Sequence, residues 1–169
     1  YMLLKHTVPR WYAFNENAIT RLWMLYQTGF AYPLTERDDE GRRIIFVQLR
    51  KADPKLFSSV DIIHLMTWIA RVILEEEETQ IAGIVTIVDL SGISFSFTRL
   101  LSMSDTIDFV SVVRNGAVGR QKGMYMVALP SFASFILEIA KKAANEKLKK
   151  RIHAVEDMED MKNIIGQSL

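Results

Sequence analysis

Ile84-Val85-Thr86-Ile87-Val88-Asp89-Leu90-Ser91-Gly92, residues 84–92, is the stretch on which the fold turns. The five residues Ile84–Val88 are all β-branched, with no polar alternation. Such a run reads as a strand buried on both faces, the pattern of a parallel sheet with layers on either side. Asp89 stands at its C-terminal end, and Gly92 turns the chain. In open α/β sheets, sites gather outside the carboxyl ends of the strands.

Working outward, residues 60–77 carry apolar side chains around most of a helical circumference, which predicts a helix buried on two sides or lining a cavity. Before it, Ile44–Leu49 reads as a short strand, residues 35–43 as a charged turn, and residues 15–28 as an amphipathic helix with Gly29 as its stop. After the central strand, the spacing predicts a helix over 99–114 and a strand over Met124–Leu129, closed by Pro130. A helix over 131–144 capped by Ser131, a strand at Ile152–Val155 and a last helix over 157–165 complete the series. Strands alternating with helices predict an α/β fold built on a mainly parallel sheet.

Composition narrows the function. Hydrophobic residues make up 49% and charged residues 24% of 169 residues, enough for one domain with a real core. The net charge of +1 argues against a bulk electrostatic nucleic-acid binder. Cysteine is absent, which removes disulfides and thiolate chemistry and fits a reducing compartment. No apolar run approaches the ~18 residues of a membrane span, and no signal peptide is visible. The chain opens on Tyr1 and stops at Leu169 without a terminating element, so flanking sequence is expected.

Catalytic signatures fail one by one. Gly116, Gly119 and Gly123 do not supply a phosphate loop, and no G-x-G-x-x-G exists. Gly92-Ile93-Ser94-Phe95-Ser96 misses the nucleophile elbow at its fifth position. His6, His64 and His153 are too far apart in sequence for a helical zinc pair, and no metal is expected. Asp89 reads either as a general acid or base or as a carboxylate satisfied by nearby N–H groups. Glu75–Glu78 reads as a solvated helix end, and the run 141–151 (KKAANEKLKKR) reads either as a solvated helix end or as an anion-binding patch.

Apolar surplus with small and polar interruptions is more informative. Ile63, Met66, Thr67 and Ala70 fall on one helical face, Thr86 and Val88 on one strand face, and Phe109, Val112 and Val113 on another helical face. These describe a plain core or the wall of a cavity. Hydroxyls at Thr67 and Thr86 are unusual choices for a plain core.

The order Asp53-Pro54, Glu78-Thr79-Gln80 with Gly83, Asp89-Leu90-Ser91-Gly92, Leu129-Pro130-Ser131-Phe132 and Glu146-Lys147-Leu148-Lys149-Lys150-Arg151-Ile152-His153 resembles the CRAL-TRIO lipid-binding domain. Within it, the resemblance is to the branch of α-tocopherol transfer protein and cellular retinaldehyde-binding protein. It runs from about residue 29 to 169, with 1–28 as the remnant of a preceding helical domain and linker. It implies a sheet floor, a pocket above it and a movable helical gate. The implied pocket wall is Ile63, Met66, Thr67, Ala70, Thr86, Val88, Phe95, Phe109, Val112, Val113 and Met124. The implied gate is Ser131–Ala144, with Phe132, Phe135, Ile136 and Ile139 on its inner side. Arg120, Lys147 and Arg151 match a phosphoinositide headgroup cleft, and Lys147 and Arg151, spaced i and i+4, are expected on one helical turn. The function so implied is not catalysis. It is a cytoplasmic, transiently membrane-associated monomer that carries one small hydrophobic lipid (tocopherol-, retinoid- or sterol-like). It releases that lipid at anionic, phosphoinositide-containing membranes and needs no cofactor beyond the lipid. A phospholipid carrier for phosphatidylinositol or phosphatidylcholine, an α/β hydrolase using Ser94 and Asp89, and an interaction module without a cavity are the alternatives.

Overall fold

The computed structural model describes residues 16–100, 102–114 and 119–165; side chains of Val112, Arg114 and Ile165 lie outside the described set. Its frame is a five-stranded sheet in the order β1 (Ala31–Arg37), β2 (Arg43–Gln48), β3 (Ile84–Asp89), β4 (Gln121–Val127), β5 (Ile152–Val155). β1 is antiparallel to β2, and all later pairs are parallel. The α/β expectation therefore holds.

The helices are α1 (Glu16–Gln27), α2 (Ser59–Ile73), α3 (Glu77–Ala82), α4 (Met103–Arg114), α5 (Ser134–Ala143), α6 (Glu146–Lys149) and α7 (Met158–Ile165). Short 3-10 turns at Phe95–Arg99 and Ser131–Ala133 lead toward α4 and into α5. α2 starts on a capping box: Ser58 and Asp61 exchange bonds with each other's backbone N–H. Asp61 also takes two bonds from Arg21, at 2.8 and 2.7 Å, which pins α1 to the start of α2.

Two faces follow from the pleat. On one, Ile44, Val85, Ile87, Val127 and Val155 pack with Met158 and Met161 of α7. On the other, Ile45, Val47, Thr86, Val88, Met124 and Met126 lie under α2, α4 and α5. β3 is buried on both sides, as its unbroken β-branched run requires.

Three expectations change. Residues 35–37, expected in a charged turn, instead end the edge strand β1, whose Thr35 and Glu36 point to water. Pro33, which cannot donate to a ladder, is tolerated there because only one side is paired. The helix over 60–77 ends at Ile73, and α3 follows as a separate turn. Glu76, expected on a solvated helix end, sits at that break and pairs with Arg43 and Arg37, both at 2.7 Å, tying the connection to β1 and β2. Burial pushes its carboxyl up, but Thr79 and the two arginines outweigh this and hold it below the usual range. Gly83 then enters β3 at φ +95°, with the Arg120 carbonyl 2.6 Å from where a Cβ would stand. Only glycine permits that approach of β4.

Candidate functional site

A cavity of about 160 Å³ lies between the sheet and the helices above it. Its floor is Val47, Thr86, Val88, Met124 and Met126, its sides are Ile62, Ile63 and Met66 of α2 with Phe109 and Val110 of α4, and Ala133, Ile136 and Ala140 close it. The wall is almost wholly apolar. Among the described residues, Asp105 is the one ionisable residue lining it, and its carboxylate accepts the Ser102 hydroxyl at 2.6 Å. Thr106 also turns away, donating to the Ser102 carbonyl at 2.8 Å. Thr86 differs: its hydroxyl oxygen accepts the amide of Gln121, which stands outside the lining, at 2.9 Å.

Of the residues expected in the wall, Ile63, Met66, Thr86, Val88, Phe109 and Met124 meet around this cavity. Ala70 and Val113 are buried in the adjoining cluster. Thr67 is half-buried and stands off the lining, while Phe95 is 71% exposed, its ring against Phe132 at 5.9 Å. The Val112 side chain lies outside the described residues. Sequence reasoning missed Phe30, Leu49, Leu90, Leu100 and Leu129, which come from connections where no periodicity operates.

The inner stripe of the closing helix also differs. Ala133, Ile136 and Ala140 face the cavity, whereas Phe135 is 42% exposed and Phe132 and Ile139 are half-buried. The 3-10 turn at 131–133 sets the rotation, and alanines face inward because α5 packs closely on α4. Selecting the largest apolar residues pointed to the wrong side for Phe135. Ser131 does not cap α5 through its side chain; its carbonyl accepts the Ser134 hydroxyl at 2.6 Å.

Beside the cavity, Arg120, Lys122, Lys147 and Arg151 surround a surface cleft of about 170 Å³. Arg120 donates to the Ile81 carbonyl at 2.7 Å and Arg151 to the Gln121 carbonyl at 2.5 Å. Each guanidinium has further donors for an anion. Lys147 and Arg151 do not share a helical turn as expected, because α6 ends at Lys149. They converge because Arg151 reaches back to β4. Lys122 was not expected there; a bulge between β3 and β4 at this point brings it in.

Asp89 is engaged: it pairs with Arg50 and accepts the Ser91 N–H at 2.9 Å. Burial pushes its carboxyl up, but Ser91 and Arg50 outweigh this and hold it below the ordinary range. The Ser94 hydroxyl bonds that of Ser96 at 2.7 Å. His64 is buried in α2, His153 stacks on Tyr125 at 5.1 Å, and His6 lies outside the described residues. Among the described residues no cluster of three potential metal ligands occurs, and no helix is long and apolar enough to cross a membrane.

The comparisons with known proteins agree with this architecture. Clavesin-1 of Xenopus laevis is 29% identical over 124 residues, 73% of this chain and 37% of that protein. Clavesin-2 of Homo sapiens is 25% identical over 124 residues, 73% of this chain and 38% of that protein. The chain thus spans little more than a third of the length of these relatives. The crystal structure of Sfh5 superposes with a TM-score of 0.59 at 11% identity, covering 90% of this chain and 57% of that one, a likeness of fold. The family model of the CRAL/TRIO domain matches residues 27–169, and the chain belongs to that lipid-binding family.

Proposed function

We propose that this chain is a carrier for one small hydrophobic lipid, a tocopherol-, retinoid- or sterol-like molecule, rather than an enzyme. The observation that supports the reading is the apolar cavity closed by α5. Among the described residues, Asp105 is its only ionisable lining residue, so these residues offer a phospholipid headgroup no cation in the wall. At ~25 cal/mol per Å², a lipid burying several hundred Å² gains on the order of 10 kcal/mol before the costs of association. The cavity as it stands is near the size of one that holds benzene. A larger lipid needs more room than this, and in this reading Ser131–Ala144 moves outward as the gate.

The basic cleft supplies the second half of the reading. Arg120, Lys147 and Arg151, with Lys122, would hold a phosphoinositide headgroup, and each cation near an anionic leaflet contributes roughly 1 kcal/mol. Contact with such a membrane favours the open gate, because the bilayer receives the apolar surface that opening exposes. The carrier works as a cytoplasmic monomer that docks transiently and needs no cofactor. In this reading residues 29–169 form the carrier domain, with 1–28 as the remnant of a preceding helical domain and linker.

Native mass spectrometry after incubation with a lipid extract tests this. A retained, intact small lipid is the expected result. No retained lipid would overturn the carrier reading. Turnover that disappears in Ser94→Ala and Asp89→Asn variants would replace it with a hydrolase. Competition of a fluorescent tocopherol or retinoid against phosphatidylcholine ranks the ligands, and preference for phosphatidylcholine would move the assignment to phospholipid transfer.

A further inference from the structure

We infer that Thr86 and Gln121 form a polar device that orients the bound lipid. Thr86 offers the cavity one fixed hydrogen-bond donor and so selects an apolar molecule bearing an acceptor oxygen over a hydrocarbon of the same shape. The inference rests on the carrier reading and adds the chemical class of its ligand.

Three observations carry it. Thr86 is only 5% exposed, yet it lines a wall that is otherwise almost entirely apolar. A hydroxyl at such a place costs free energy unless it is used. The direction of its proton follows from its partner. Gln121, itself 6% exposed, places one side-chain nitrogen within 2.6 Å of the Gly123 carbonyl oxygen and 2.9 Å of Thr86 Oγ1. A carbonyl accepts only, so the group facing it is the NH₂ end of the amide, and that NH₂ has two protons. One goes to Gly123 and the other to Thr86. Thr86 Oγ1 is therefore an acceptor in this pair, and its own proton points elsewhere. Among the described residues, no protein acceptor receives it.

The placement of Gln121 is a product of the sheet. Gln121 is in register with Ile84, Gly123 with Val85 and Met124 with Thr86, so β4 carries one extra residue there. The bulge keeps Gln121 on the same face as Thr86 but one step nearer the start of the strand. There it lies beside Thr86, outside the cavity lining and against the basic cleft. Its backbone is held in turn, since its carbonyl accepts the Arg151 guanidinium. The amide is thus preorganised, and it fixes the hydroxyl that it meets. A ligand carbonyl, ether or hydroxyl oxygen over β3 completes the set. A saturated chain leaves the donor buried and unmatched.

The test measures displacement of the uncharged apolar dye N-phenyl-1-naphthylamine by tridecan-2-one and by tridecane, which differ only in the carbonyl. It uses wild type, Thr86→Ser, Thr86→Val and the double variant Thr86→Val with Gln121→Leu. The quantity read is the ketone-to-alkane ratio relative to wild type, in which transfer from water cancels. We expect Thr86→Ser to keep the wild-type ratio. Thr86→Val and the double variant should lower it by about 2- to 12-fold, the range of a net neutral hydrogen bond. The double variant removes the Thr86 hydroxyl and the Gln121 side-chain amide together, so it leaves no buried side-chain amide unmatched, and its alkane displacement reports that the cavity still forms. An unchanged ratio in the double variant, with alkane displacement intact, overturns the orienting device and leaves the carrier standing. Failure of wild type to release the dye to either compound overturns the carrier reading and this inference with it.

Discussion

Replacing Phe135 separates holding a lipid from delivering it. Phe135 lies on α5 but faces away from the cavity, with 42% of its surface exposed. An aromatic side chain has ~200 Å² to bury, so ~85 Å² of Phe135 remains in water. Transfer of that area into a bilayer at ~25 cal/mol per Å² contributes about 2 kcal/mol. This corresponds to roughly 30-fold in membrane affinity, and the methyl left in Phe135→Ala brings the expected loss to about 10- to 30-fold. Phe135→Asp should lose more, because a carboxylate must then be desolvated at the interface. Neither change touches the lining, so ligand affinity should stay within about twofold of wild type. Stopped-flow transfer of a fluorescent lipid to vesicles, beside equilibrium binding of the same lipid, measures both quantities. Wild-type transfer by Phe135→Asp would show that the outer face of α5 does not enter the membrane.

The double variant Lys147→Ala with Arg151→Ala should bind lipid nearly as wild type but transfer it more slowly to phosphoinositide vesicles. Transfer by wild type should fall as salt rises past ~0.1 M, where surface charges are screened. A wild-type rate in the double variant would make the basic run a solvated face. Asp61→Asn removes a buried carboxylate that accepts from Arg21 and Ser58. At pH 7 it should lower unfolding free energy by about 2–3 kcal/mol, the cost of a cap plus a charged hydrogen bond to a half-exposed arginine that rehydrates. Burial pushes the Asp61 carboxyl up, yet Arg21 and Ser58 outweigh it and hold it below its ordinary value. The stabilisation is therefore present above the unfolded value of ~3.9 and lost as pH falls through the folded one. Urea denaturation of both proteins should converge toward acid pH, and a gap that widens there would refute the assignment.

The parts of the fold that were legible are those where burial is periodic or continuous. β3 could be read because a strand covered on both faces needs an unbroken β-branched run, and β5 was bounded correctly at Ile152 and Val155. β1 was not, because an edge strand gives its outer residues to water, and Thr35-Glu36-Arg37 then looks like a turn. Helical spacing found Ile63 and Met66, but it also swept in Thr67, which sits at the margin of the buried arc. Leu90, Leu100 and Leu129 reach the cavity from connections, where the path of the backbone rather than a repeat decides. Ala133 and Ala140 were passed over because a small side chain carries little hydrophobic signal, although close helix packing asks for one.

The two margins of the sheet bear on how such a molecule survives its own working cycle. A strand with an unpaired flank invites another chain to add to it, and the risk rises whenever apolar surface is uncovered nearby. Here one margin is β1, interrupted by Pro33 and ending in Glu36 and Arg37, and the other is β5, only four residues long. Neither presents a long, flat ladder of unsatisfied backbone groups. Two copies meeting with their helices displaced would find apolar patches to touch but no template along which to zip. Self-association would then stay reversible, and crowding many copies at one membrane would not seed fibrils.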